Sequence, residues 1–201
     1  MNKGPVMPWE NNPSIKFSCL FWNSHFREYS IETDAVLLYE MSTEYHVDVL
    51  VSGHSFHTFG AGRNKNGSVR LDLQPDNILT KYFTENISIH VKDPDLAIDW
   101  LEDACNTKAI FKLYHYEFLL PETIMDIIEK DDDCTRPETW KHIFCSKFVL
   151  LFLRYCHLTG NLEAPEGRLR ILWTVNSNHC TPAYLKKMVQ YIFHPEQCGY
   201  R

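Results

Sequence analysis

FCSKFVLLFLRYCH, residues 144–157, is the stretch on which the fold turns. Six consecutive apolar side chains (Phe148, Val149, Leu150, Leu151, Phe152, Leu153) stop at Arg154, far short of the roughly 20 residues that cross a bilayer. The segment gives the strongest helical signal in the chain and is apolar enough for a core helix. Upstream, Asp93-Pro94-Asp95 is a start signal for a helix through Cys105, with Leu96, Trp100, Leu101 and Ala104 on one face. Residues 121–130 read as a short helix that ends in a solvated loop, Asp131-Asp132-Asp133. Downstream, 170–175 is apolar and β-like, and Thr181-Pro182 opens a last helix to about Phe193 by the cap-then-proline rule.

The first third has a different period. Residues 35–39 read as a buried strand. Alternating residues 46–51 and 55–59 flank Ser52-Gly53-His54, which predicts a β-hairpin. Glycine and asparagine between 60 and 67 are turn chemistry, and 68–73 is a further strand. Strands over 30–75 followed by helices over 93–193 predict an α+β fold, an N-terminal antiparallel sheet packed on later helices. Residues 1–16, rich in Pro and Asn, read as a flexible arm on a single domain spanning 17–201.

Composition narrows the function. Twenty basic against 26 acidic side chains give a net charge of −6, which argues against a nucleic-acid binder. The N-terminal residues lack the apolar run of a secretory signal. Seven cysteines, an odd number with no disulfide spacing, read as reduced thiols of a cytoplasmic protein. His54-x-x-His57 and Cys156-His157 lack the Cys-x-x-Cys partners of a zinc site, and no glycine-rich loop precedes a helix, so neither metal nor cofactor is expected. Trp9, Trp22, Trp100, Trp140 and Trp173 are assigned to the core, as is Cys156.

The candidate nucleophile is Cys145. In the first turn of a buried helix it would feel the positive end of the macrodipole, which favours thiolate. A start at Thr135-Arg136-Pro137-Glu138 would instead leave it mid-helix and inert. A thiol nucleophile needs a charge-stabilising partner, commonly an imidazole. His46 begins a strand, where its ring would sit at the end of the sheet. His57, on the facing arm of the hairpin, is the candidate for orienting that ring.

The order of a His46-Val-x-Val strand, a Gly turn, Phe56-His57, and far downstream Phe144-Cys145-Ser146-Lys147-Phe148-Val149 resembles the circularly permuted NlpC-type papain-fold hydrolases. In these the histidine half precedes the cysteine half. The strand at 34–39, the Trp100-Leu101 to Tyr114-His115-Tyr116 segment and the Thr181-Pro182 helix extend the resemblance over roughly 34–193. The hairpin is also similar to the PPPDE group, permuted papain-fold peptidases that remove ubiquitin-like modifiers. That group has Asn before its cysteine, where this chain has Phe144, and many NlpC-type relatives carry an acid where Lys147 stands. The resemblance implies a cysteine hydrolase, a peptidase or amidase or a deubiquitinase-like enzyme, with Cys145 as nucleophile, His46 as base and His57 orienting it. The Cys145 N–H would serve the oxyanion, and the substrate would be a peptide or acylated protein. The alternatives are a catalytically silent papain-fold module of viral or host-interaction type that binds a partner protein, in the host cytoplasm or virion, and a lecithin–retinol acyltransferase-like acyltransferase or lipid hydrolase.

Overall fold

The computed structural model describes residues 9, 14–23, 44–58, 69–72, 83–106, 110–111 and 131–198. The strand expected at 35–39, the turns of 60–67, the Tyr114-His115-Tyr116 segment and the helix expected at 121–130 lie outside the described residues. What is described is α+β. Five antiparallel strands, β1 (Phe17–Asn23), β2 (Glu44–Val51), β3 (His54–Thr58), β4 (Val69–Asp72) and β5 (Phe83–Ile89), form a sheet in the order β4-β3-β2-β1-β5. A two-residue parallel pair, β6 (Ile110–Phe111) with β7 (His142–Ile143), stands apart from it. The helices are α1 (Pro94–Cys105), α2 (Cys145–Leu158), α3 (Glu166–Leu169) and α4 (Pro182–Phe193). No helix is long and apolar enough to cross a membrane, among the described residues.

Strand alternation builds the core face. Phe17, Cys19 and Phe21 lie opposite Val51, Val49 and Val47 on one side of β1, and Phe17 and Cys19 lie opposite Ile89 and Ile87 on the other. All of these are buried, with Phe56 opposite Val49. Burying each such side chain contributes about 1.5–3 kcal/mol. The hairpin between β2 and β3 closes through Ser52 and Gly53, at φ 48° and 88°. Two successive positive φ values are what a two-residue turn needs to follow the twist of its strands, and glycine takes the second without strain. His54, expected in the turn, is already the first residue of β3, opposite Val51.

Helix α2 is buried from Ser146 to Arg154 and again at Cys156, so it is the axis of the molecule. Phe152 stacks on Phe17 of the sheet, with centroids 6.3 Å apart. Trp100 of α1 meets Phe148, Phe152 and Tyr155 at 5.6–6.0 Å. The expected caps are in place: Asp93 accepts from the Leu96 N–H at 3.1 Å, and Thr181 from the Tyr184 N–H at 3.2 Å. Helix α4 presents Leu185, Met188, Val189 and Ile192 to the core and ties to β5 through Gln190 and Lys186, both on Glu85.

Three expectations fail, two of them because of buried cations on α2. Residues Arg170–Trp173 form a 3-10 helix, where a strand was expected. Arg154, 1% exposed, takes the carbonyls of Leu172 (2.7 Å) and Val175 (2.5 Å), acceptors that this turning segment aims inward. Nor is Asp131-Asp132-Asp133 a solvated loop. Asp131 binds Arg154 at 2.8 Å and accepts from the Ser177 N–H, while Asp132 pairs with the buried Lys147. Asp131 is held below the usual carboxylate range because the Ser177 hydrogen bonds and the Arg154 guanidinium outweigh its burial. Trp173, expected in the core, is 44% exposed and lies 4.9 Å from the Arg154 guanidinium. Trp9, Trp100 and Trp140 are buried as expected; Trp9 packs on Phe56 and so fixes one point of the 1–16 segment to the sheet. Strands β1 and β5 had no counterpart in the sequence reading.

Candidate active site

Cys145 is the first residue of α2. Thr135 to Glu138 does not start that helix: the 3-10 turn Pro137–Thr139 and strand β7 intervene. The N-cap, Phe144, is extended (φ −147°, ψ 169°) and offers no side-chain acceptor to the first-turn N–H groups. The thiol therefore stands at the positive, side-chain-uncapped end of the central helix. It is partly exposed, as is Cys105, whereas Cys19, Cys134, Cys156 and Cys180 are buried. Burial pushes Cys134 up to about 11, and pushes the thiols of Cys19, Cys156 and Cys180 higher still. Cys156 is core packing, as expected.

His46 lies near the start of β2, opposite Trp22, where the β1–β2 register shifts between Trp22 and Asn23. Its side chain is 26% exposed, and Nε2 sits 2.5 Å from Oδ1 of Asp48, itself 4% exposed. Residues two apart on a strand leave the same side, which is why the carboxylate reaches the ring. The Cys145 side chain interacts with the same ring. Burial alone would depress the imidazole, but Asp48 and then Cys145 reverse it, holding His46 up to about 10. The ring is thus an imidazolium at neutral pH, between a carboxylate and a sulfur.

The two sequence candidates, His46 and Cys145, far apart in the sequence, are brought together. The third, His57, has its backbone in β3 paired with Arg70; its side chain lies outside the described residues. The ring partner that the structure shows, Asp48, escaped the sequence reading. The signal was there: His46-x-Asp48 inside an alternating strand, a carboxylate two positions from an imidazole. His54 sits elsewhere, edge-on to Trp9 at 6.3 Å.

The walls of the helix mouth come from later chain. Ser146 donates to the Cys180 carbonyl at 2.5 Å, so Cys180 is sealed against α2 and its own thiol is buried. Lys147, 1% exposed rather than facing solvent, pairs with Asp132 and donates to Oδ1 of Asn178 at 2.6 Å. No three His, Cys, Asp or Glu side chains are grouped to hold a metal ion among the described residues. Chemically, a partly exposed thiol beside a carboxylate-held imidazolium at a helix N-terminus is equipped for nucleophilic attack on a carbonyl. Compared with family models, curated proteins and solved structures, the chain matches none.

Proposed function

We propose that this protein is a cysteine-dependent acyl-transfer enzyme, a hydrolase of amide or ester bonds in peptides or acylated proteins. Cys145 is the nucleophile, His46 the proton carrier, and Asp48, in the place expected for His57, the group that orients His46. The observation that carries this is the His46 ring, paired with Asp48 at 2.5 Å and interacting with the Cys145 side chain. The arrangement, a histidine strand early and a cysteine helix late, supports the permuted papain-like reading of the fold.

The reacting form pairs a Cys145 thiolate with the protonated ring of His46. The sulfur adds to the carbonyl carbon, and the C=O electrons move to oxygen. As the tetrahedral adduct collapses, His46 gives its proton to the leaving amine or alcohol. Water then loses a proton to His46 and attacks the thioester, and Cys145 leaves as thiolate. Asp48 keeps the ring in one orientation and stabilises its charge, as the carboxylate of a triad does.

Alkylation with limiting iodoacetamide at neutral pH, mapped by peptide mass, tests this. Cys145 is expected to react more than about tenfold faster than every other cysteine, with the preference lost in His46→Ala. Slow labelling spread evenly over the thiols would refute the enzyme reading and leave a binding module.

A further inference from the structure

The mechanism above lacks one part: a second donor for the oxyanion, beside the Cys145 backbone N–H. The geometry points to the side-chain amide of Asn178. This assignment rests on the thiol-hydrolase reading.

The case begins with Lys147. An ammonium only donates, so the Asn178 atom that meets it at 2.6 Å must be the carbonyl Oδ1. The amide orientation is therefore dictated, and Nδ2 with its two hydrogens faces away from the lysine. Asn178 makes one other hydrogen bond, from its backbone N–H to Oδ1 of Asn176 at 2.9 Å, so Nδ2 has no acceptor among the described residues.

Its position follows from the helix. Side chains lean toward the N-terminus of their helix, so Lys147, in the first turn of α2, carries its ammonium and both partners back toward the mouth where Cys145 stands. The segment bearing Asn178 is strapped over that first turn at two points: Ser146 to the Cys180 carbonyl, and Lys147 to Asn178. Asp131 fixes the near side by accepting the Ser177 N–H at 3.0 Å. A donor held this way before substrate arrives needs no reorganisation when charge appears on the carbonyl oxygen, which is what makes such donors effective. It also gives the buried Lys147–Asp132 pair a purpose, since replacing a buried ion pair with apolar side chains is often neutral or stabilising.

The test separates two reactions of one sulfur. Displacement of iodide from iodoacetamide forms no oxyanion; acylation by p-nitrophenyl acetate does. In the full-length chain, Asn178→Asp keeps an oxygen for Lys147 but removes the donor, and Asn178→Ala removes both. Each is expected to slow acylation of Cys145 by about 10²–10³-fold, while its alkylation rate stays within about twofold of wild type. Equal slowing of both reactions, or of neither, would overturn the assignment. A wild-type protein that is not acylated at Cys145 would overturn the hydrolase reading with it, whereas wild-type acylation unaffected by either substitution removes only Asn178.

Discussion

The two ends of α2 carry the same residue types and opposite fates. At the C-terminal end, Cys156 is buried, and the carbonyls of Tyr155, Cys156 and His157 are answered. Thr159 bonds back to Tyr155, Gly160 (φ 68°) to His157, and the Asn161 N–H to Cys156 at 2.7 Å. His157 is equally occupied, with Nδ1 taking the Trp173 indole at 2.9 Å and Nε2 meeting Glu166 at 3.0 Å. At the N-terminal end the cap has no side-chain acceptor, the thiol is partly open, and the imidazole is held charged by a buried carboxylate. A cysteine and a histidine make chemistry only where the helix end is positive and left unfinished; at the finished end they are packing.

The comparison breaks most sharply at the sulfurs. Cys145→Ala is expected to abolish acylation by p-nitrophenyl acetate, whereas Cys156→Ala keeps it and lowers the melting temperature. Acylation equal in Cys145→Ala and wild type would reverse the roles given to the two ends. Next in size, Asp48→Asn removes the charge that does most to raise His46 and should slow acylation by about 10²-fold, with Glu166→Gln at the closed end changing nothing. Stopped-flow acylation rates decide between them.

Stability should follow pH through the same ring. His46 is raised in the folded state, so its contribution is fully present below the unfolded value near 6.5 and is lost as pH climbs to about 10. Urea midpoints measured over that window should fall in the wild type and flatten in Asp48→Asn; parallel curves would place the ring charge outside the site. Arg154→Met, which leaves Asp131 facing an apolar side chain, is expected to cost about 3 kcal/mol by the same assay. The smallest effect belongs to the finished end: Gly160→Ala, strained at positive φ, should cost about 1 kcal/mol and leave alkylation of Cys145 unchanged.

What the sequence revealed depended on period and punctuation. Helix α2 announced itself by its apolar run, α1 and α4 by Asp93-Pro94 and Thr181-Pro182, and the hairpin by alternation around Ser52-Gly53. Strand β1 was hidden because Phe17-Ser18-Cys19-Leu20-Phe21-Trp22 follows a Pro- and Asn-rich start and breaks alternation at Leu20, which is buried like its neighbours. Strand β5 was hidden by Glu85 and Asn86 among its apolar residues. The charged partners were illegible for another reason. A lone Asp48 in a strand or a run of three aspartates looks solvated until the cations and imidazole that fold onto them are known, and those lie far away in sequence.

Strand β1 sits between β2 and β5, so the middle of the sheet joins Phe17 to Val51 on one edge and to Ile89 on the other. Contacts between such distant residues make for slow folding, because each long loop must close before pairing rewards it. During synthesis the hairpin arm with His46 and Asp48 leaves the ribosome well before α2, and the strap carrying Asn178 follows later still. A nascent chain thus carries the imidazole long before the thiol that it is to serve.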